Sequence, residues 1–238
     1  MQALGPRLVI AGTSSGVGKT TVAAGLMAAL RARGTVVGAA KVGPDFVDPG
    51  YHALAAGRPS RNLDPWMCGP EVIPALAARA ADGADVLVVE GVMGLFDGAA
   101  DPDGPASSTA HVATLLDAPV VLVVDAGAMS GSVAALVHGF ATFDPAVTVG
   151  GVLLNRVGSD SHEAMLREAL APLGVPVLGV LRRSPELTWT DRHLGLVPVV
   201  ERRAEVARSL AALAAVVDRS CDLEAVTALA RSAPPRRV

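Results

Sequence analysis

The sequence predicts an α/β fold, in which a doubly wound, mainly parallel sheet carries helices on both faces. Six apolar runs are rich in β-branched residues and lack alternation of polar and apolar positions. Both faces of each strand are therefore expected to be buried. Helical stretches lie between most of these runs, as is typical of right-handed βαβ crossovers. Ligands in such sheets bind at the carboxyl ends of the strands.

The predicted elements follow one another along the chain in a regular order. The strands are the apolar runs, at residues 7–12, 35–41, 84–91, 118–126, 147–155 and 175–181. Helices are predicted at 20–33, 70–82 and 159–173, and a further Ala-rich helical pair follows Arg202. Each of the first three helices is followed by a glycine where a C′ glycine is expected, namely Gly34, Gly83 and Gly174.

Two segments depart from this alternation. Residues 42–67 are rich in Pro, Gly, Asp and Arg, which predicts a long irregular loop of the functional kind. The last residues, SAPPRRV, have the composition of a linker. We therefore predict one domain over residues 1–231 and the start of a linker at 232–238.

Composition excludes several classes of function. Of the 238 residues, 51% are hydrophobic, and the formal net charge of -3 gives no field that favours nucleic acid or an anionic membrane. No segment has the ~18 uninterrupted apolar residues of a membrane span. Cys68 and Cys221 are far apart and indicate neither a zinc site nor a disulfide. A cytoplasmic protein is predicted.

The segment GTSSGVGKTT (12–21) follows a predicted strand and opens a predicted helix, which is the setting of a phosphate-binding P-loop. Glycines let the backbone N–H groups turn toward a phosphate, Lys19 reaches the terminal phosphates, and the Thr20 hydroxyl is placed for Mg²⁺. The fold is therefore expected to be P-loop NTPase-like. The predicted nucleotide contacts are Thr13, Ser14, Ser15, Gly16, Val17, Gly18, Lys19, Thr20 and Thr21.

The loop departs from the strict motif at one position, because Thr13 stands where glycine is expected and Gly12 lies one step earlier. A glycine-rich turn without a ligand is the alternative, but such a turn does not require a lysine at the helix start. The GTSS segment also lacks a second, early lysine. That absence disfavours the partition ATPases with a deviant motif.

Three acidic residues lie near predicted strand ends beside the P-loop: Asp45, Asp48 and Glu90. Carboxylates crowding a polyphosphate repel it unless a divalent cation lies between them, so Mg²⁺ is implied. Glu90 closes a hydrophobic strand at the Walker B position. Lys41 closes another strand, where it can neutralise a transferring phosphoryl group. Alternatively, Asp45 or Asp48 is a turn former.

Six segments together resemble the N-terminal ATP-binding domain of the cobyrinate and hydrogenobyrinate a,c-diamide synthases, which is similar to dethiobiotin synthetase. They are GTSSGVGKTT, KVGPDFVDPGYH (41–52), NLDPWM (62–67), VEGVMGLFDGA (89–99), VLLNRVGSDSH (152–162) and RHLGLVP (192–198). The resemblance covers nearly the whole chain, and the second and third segments are more specific than the P-loop.

The resemblance implies ATP-dependent amidation of the a and c side-chain carboxylates of a corrin precursor in cobalamin biosynthesis. ATP would phosphorylate the carboxylate, and ammonia, normally released from glutamine, would attack the acyl phosphate. Thr20, Asp45 and Glu90 would hold Mg²⁺, and Asp48 would lie beside the reacting carboxylate. Asn155 would contact adenine, or is a strand-end turn residue. The implied catalytic residues are Lys19, Lys41, Asp45 and Asp48.

The expected partners also follow from this resemblance. A tetrapyrrole carries several carboxylates, for which Arg61 and Arg192, together with Tyr51, are the predicted contacts. A homodimer is expected. The family usually carries a glutaminase domain with a nucleophilic cysteine, but neither Cys68 nor Cys221 has a nucleophile setting. Histidines without metal-ligand spacing receive no role: His52, His111, His138 and His162.

Three alternative functions stay open at this point. A dethiobiotin synthetase is disfavoured by the KVGPDFVDPGYH segment. A P-loop switch or partition ATPase is disfavoured by the missing early lysine and the clustered acids. A nickel-sirohydrochlorin a,c-diamide synthase is compatible with all of the motifs.

Overall fold

A computed structural model describes residues 3–99, 107–183 and 203–238. Its strands are β1 (Ala3–Leu4), β2 (Arg7–Gly12), β3 (Val37–Val42), β4 (Ser60–Leu63), β5 (Val86–Glu90), β6 (Val120–Asp125), β7 (Val149–Val157), β8 (Val177–Arg182) and β9 (Arg236–Arg237). Its helices are α1 (Lys19–Ala32), α2 (Asp48–Ala56), α3 (Pro65–Cys68), α4 (Ile73–Ala81), α5 (Thr109–Leu115), α6 (Ser132–Thr142), α7 (Asp160–Leu170), α8 (Arg203–Ser220) and α9 (Leu223–Arg231). Short 3₁₀ turns lie at Pro70–Val72 and Ala171–Leu173.

The main sheet has seven strands in the order β4-β3-β5-β2-β6-β7-β8, and all neighbours run parallel. Successive residues of β2 pack into two different cores, because Leu8 and Ile10 face one cluster while Val9 and Ala11 face the other. Helices α1, α2, α8 and α9 contribute to the first cluster, and α4, α5, α6 and α7 to the second. The predicted doubly wound fold is confirmed.

Register brings the site together at the carboxyl edge of the central strands. Glu90 of β5 is paired with Ile10 of β2 on one side and with Lys41 of β3 on the other. The P-loop leaves β2 at this same edge and enters α1 at Lys19. The three sequence features predicted to bind nucleotide and metal are therefore neighbours in space.

The prediction of an irregular loop at residues 42–67 is wrong. This segment contains α2, the edge strand β4 and α3. Strand β4 pairs only with β3 in the described sheet, and most of its side chains are not fully buried, so its sequence SRNL lacks an apolar pattern. The side chain of Asp64 caps α3 by accepting from the N–H groups of Trp66 and Met67.

The predicted helices at the end of the chain are confirmed as α8 and α9. Gly34, Gly83 and Gly174 all have positive φ angles, as expected of glycines that follow helices. Beyond α9, β9 pairs antiparallel with β1, and the buried Arg7 donates to the Pro234 carbonyl at 2.8 Å. The domain boundary between residues 231 and 232 stays a prediction.

In the described parts of the chain, no helix combines the length and apolarity that a membrane crossing requires.

Candidate functional site

The P-loop connects β2 to α1 through two left-handed glycines. Gly16 has φ 77° and Gly18 has φ 98°, a region that side-chain-bearing residues rarely adopt. A Cβ at Gly18 would also lie 2.3 Å from Asn155 Nδ2. At Gly12, one residue before the position where the strict motif has glycine, a Cβ would lie 2.7 Å from Val17 Cγ2. Close packing against Val17 therefore explains why glycine occupies position 12.

Lys19, the first residue of α1, folds back over this loop. Its Nζ donates to the Ser14 carbonyl at 2.9 Å. Burial and the nearby Lys41 ammonium lower the pKa of Lys19. Lys19 and Lys41 are the only lysines of the chain, whose other Lys/Arg positions are arginine. A compact ammonium therefore occurs only where a phosphate is expected to bind.

An acidic centre lies beside the P-loop and is formed by α1, α2, β3 and β5. Thr20 Oγ1 donates to Glu90 Oε1 at 2.6 Å and lies 3.5 Å from Asp48 Oδ2. Lys41 Nζ lies 3.4 Å from Asp48 Oδ2 and 3.5 Å from Glu90 Oε1. Its shortest hydrogen bond goes to the Gly91 carbonyl, at 2.7 Å. Lys41, Asp48 and Glu90 are buried.

The two carboxylates of this centre respond differently to burial. Burial and the neighbouring Glu90 raise the pKa of Asp48. Burial also opposes ionisation of Glu90, but a hydrogen bond with His52, the charge of Lys41 and the Thr20 hydroxyl bring the pKa of Glu90 down to about 2. Glu90 is therefore ionised at neutral pH, next to a second carboxylate that is costly to ionise unless a cation binds.

The oxygen donors of this centre fit Mg²⁺. The described residues hold no cluster of three His, Cys, Asp or Glu side chains suited to a metal. However, Mg²⁺ in nucleotide sites is usually held by one or two carboxylates together with substrate phosphates and water. Thr20, Asp48 and Glu90 provide one hydroxyl and two carboxylates within hydrogen-bonding distance of one another.

Asp45, for which the family resemblance implies a metal role, has a different environment from Asp48. Its Oδ1 accepts the N–H groups of Val47 and Asp48, both at 2.8 Å, at the start of α2. Asp45 therefore has the geometry of a turn former, which was the alternative considered for one of the two aspartates. The structure thus brings Asp48 to Thr20, and the metal role of Asp45 stays a prediction.

Asn155 and Arg156 connect the end of β7 to the P-loop. The Asn155 amide donates to the Val17 carbonyl at 2.9 Å and accepts the N–H of Arg156 at 2.9 Å. Arg156, at φ 60°, donates to the Gly16 carbonyl at 2.9 Å and pairs with Asp125 at 2.5 Å. The adenine contact of Asn155 stays a prediction, and the contact of Arg156 with the P-loop was not predicted from the sequence.

The predicted substrate contacts are spread over different environments. Tyr51 in α2 is buried, with 2% of its surface exposed, whereas Arg61 on the edge strand β4 is exposed. Arg192 lies outside the described residues. Burial raises the pKa of the Cys221 thiol to about 12, and Cys68 is exposed on α3. Cys221 is thus protonated, which is unlike an activated nucleophile.

His52 is a site residue that the sequence prediction missed. It is fully buried, and its Nε2 lies 2.5 Å from Glu90 Oε2. The absence of metal-ligand spacing left it without a role, yet it stands four positions after Asp48 in α2. That spacing places both side chains on one helix face, which is the signal that could have identified it.

The chain matches a known protein family and several curated proteins. Residues 8–197 match the family described as CobQ/CobB/MinD/ParA nucleotide binding domain. The hydrogenobyrinate a,c-diamide synthase of Streptomyces coelicolor is 63% identical over 95% of this chain and 46% of its own length. The synthase of the same name from Mycobacterium tuberculosis H37Rv is 56% identical over 94% of this chain and 50% of its own length.

The chain thus spans about half the length of the curated relatives it matches. Among solved structures, the cell division ATPase MinD of Pyrococcus furiosus aligns with a TM-score of 0.52 and 18% identity. That alignment covers 90% of this chain and 99% of the MinD chain. At this identity the likeness concerns the fold alone.

Proposed function

Because the chain belongs to the CobQ/CobB/MinD/ParA nucleotide binding domain family, we propose that it is the ATP-dependent amide-forming unit of a hydrogenobyrinate a,c-diamide synthase. The observation that carries this proposal is the 63% identity, over 95% of the chain, to a protein of that name. The reaction is amidation of the a and c side-chain carboxylates of hydrogenobyrinate or cobyrinate, in cobalamin biosynthesis.

The chemistry requires activation, because a carboxylate is a poor electrophile. A carboxylate oxygen of the corrin precursor attacks the γ-phosphorus of ATP, which breaks the bond to ADP and forms an acyl phosphate. Ammonia then attacks the acyl carbon, phosphate leaves, and the nitrogen loses a proton to give the amide. The site must therefore hold two anions, ATP and the carboxylate, close together.

The residues of the site support this sequence of steps. Lys19, held over the P-loop by Ser14, is placed to bind the terminal phosphates of ATP. Mg²⁺ held by Thr20, Asp48 and Glu90 would neutralise part of the phosphate charge. Lys41 supplies a second buried ammonium beside the acidic centre, where it can offset the charge of the transferring phosphoryl group.

Further parts of the proposal concern partners. The exposed Arg61 is a candidate for binding a substrate carboxylate, and Arg192 is predicted for the same role. Neither cysteine has the setting of a glutaminase nucleophile, since Cys221 is a protonated, buried thiol and Cys68 lies exposed on a four-residue helix. Ammonia would therefore normally come from glutamine through a glutaminase domain. A homodimer and a cytoplasmic location remain predictions.

The direct test supplies the purified chain with MgATP, ammonium and hydrogenobyrinate, and measures ADP and the mass of the corrinoid product. We expect diamide formation with ammonium and none with glutamine when released ammonia is scavenged. Amide yield per ADP should rise with pH toward the pKa of ammonium. Cobyrinate and nickel sirohydrochlorin serve as comparison substrates. ADP formation that no tetrapyrrole stimulates would exclude the proposed activity.

Asp48→Asn tests whether the Asp48 carboxylate contributes to the metal site. We expect the Mg²⁺ concentration needed for half-maximal ADP release to rise about tenfold, because one of two carboxylate ligands is lost. Asp45→Asn is the comparison variant, because asparagine keeps an oxygen that can accept the Val47 and Asp48 N–H groups and should leave the start of α2 little changed. An equal rise of the Mg²⁺ requirement in Asp45→Asn would support the predicted metal role of Asp45. Loss of amide formation in Asp48→Asn at an unchanged Mg²⁺ requirement would instead place Asp48 beside the substrate carboxylate.

A further inference from the structure

The His52 side chain makes a single hydrogen bond among the described residues, and its partner is the proposed metal ligand Glu90. Its Nε2 lies 2.5 Å from Glu90 Oε2, and its Nδ1 has no hydrogen-bond partner in the described structure. An ionised carboxylate can only accept, so Nε2 carries the shared proton. We propose that His52 is a positioning residue that orients Glu90 for the metal, an inference that rests on the proposed function.

The two oxygens of Glu90 have separate partners. His52 holds Oε2, while Oε1 accepts from Thr20 at 2.6 Å and faces the centre that Asp48 completes. The terminal torsion of a glutamate side chain is broad and readily rotates. The hydrogen bond from His52 removes this freedom, so that one oxygen stays directed toward the metal position.

Lys41 is the group that would compete for Glu90 without His52. Its Nζ lies 3.5 Å from Glu90 Oε1, and its 2.7 Å hydrogen bond goes to the Gly91 carbonyl instead. If Glu90 were free to turn, its second oxygen could pair closely with this ammonium. A closer ion pair would lower the affinity for a divalent cation, because the cation would have to displace the lysine.

Helix α2 provides the geometric basis for this role. Asp48 and His52 stand one turn apart on the same face of α2, and this face lies against the carboxyl ends of β3 and β5. One helix thus supplies both a carboxylate of the centre and the side chain that orients the other carboxylate. Hydrogen-bonded partners of metal ligands typically change metal affinity 10–100-fold when they are mutated.

The test compares metal binding in His52→Leu and His52→Gln. Mn²⁺ is titrated into protein saturated with a non-hydrolysable ATP analogue, and free Mn²⁺ is followed by electron paramagnetic resonance. In His52→Leu, Mn²⁺ affinity should fall by about 10-fold or more. Affinity for the ATP analogue in the absence of metal should change less than about threefold, since the P-loop contacts are retained. His52→Gln keeps a side-chain N–H donor and should recover much of the Mn²⁺ affinity.

Controls separate positioning from a general loss of structure. His162→Leu removes a histidine whose Nε2 contacts the Met129 carbonyl, away from Glu90, and should leave Mn²⁺ affinity unchanged. Equal losses of Mn²⁺ and metal-free analogue binding in His52→Leu, or no loss of either, would overturn the inference. If His52→Leu does not fold, His52→Gln is compared with His52→Asn, whose N–H donor is on a shorter side chain. A His52→Gln protein that binds Mn²⁺ more weakly than His52→Asn would then overturn the inference. If the wild-type complex binds no Mn²⁺, the proposed metal site fails first.

Discussion

Lys19→Ala is expected to reduce ADP formation by at least about 100-fold. The ammonium of Lys19 lies over the P-loop, where charge on the γ-phosphate would shift in the proposed transfer, and loss of one such contact typically costs about 3 kcal/mol. Nucleotide should still bind weakly, because the backbone N–H groups of the loop remain. The measurement is ADP release with ammonium and hydrogenobyrinate, together with titration of a fluorescent ATP analogue.

The matched control for Lys19→Ala is Arg33→Ala, at the other end of α1. Arg33 is exposed and pairs with Asp218, so its removal subtracts the same charge without touching the P-loop. We expect Arg33→Ala to retain wild-type turnover. A Lys19→Ala protein that releases ADP at the wild-type rate would mean that residues 12–21 do not form the phosphate site.

Glu90→Gln is expected to lower turnover by at least about 100-fold and to raise the Mg²⁺ requirement. The substitution removes the negative charge that Thr20 and Lys41 contact and that the proposed metal would bind, while the amide retains the size of the side chain. Loss of a metal-bound charge costs several kcal/mol of transition-state stabilisation. Glu163→Gln is the control, because Glu163 also pairs with cationic side chains, namely Arg167 and Arg182, but lies on α7. Its turnover should be unchanged.

Glu90→Gln should also change how stability depends on pH. The pKa of Glu90 is lowered in the folded protein from 4.5 to about 2, so its ionised form stabilises the fold above pH 4.5. That contribution is lost as the pH falls toward 2. The free energy of unfolding of the wild type, relative to Glu90→Gln, should therefore fall by on the order of 3 kcal/mol between these values. An equal loss of stability at every pH, with an unchanged Mg²⁺ requirement, would assign Glu90 to structure alone.

The apolar runs by themselves determined the central strands of the sheet, because residues buried on both faces leave an unbroken hydrophobic pattern. The P-loop was equally visible, since glycine, lysine and threonine must occupy fixed positions between a strand and a helix. Strand β4 could not be predicted from the sequence, because an edge strand keeps polar side chains and resembles a loop in sequence. The helix α2 was hidden within the same Pro- and Gly-rich segment.

Sequence also placed Lys41 and Glu90 at strand ends, and parallel register was enough to make them neighbours. The sequence could not decide which of Asp45 and Asp48 lies beside Thr20, because both follow β3 within a few residues. That choice depends on the start of α2, where Asp45 accepts the N–H groups of Val47 and Asp48, whereas the Asp48 side chain lies beside Thr20. Only the tertiary structure revealed the contact of His52 with Glu90, because it joins a helix to a strand that is distant in sequence. Local patterns encode conformation and burial, whereas the partner of a buried polar group is decided by how the elements pack.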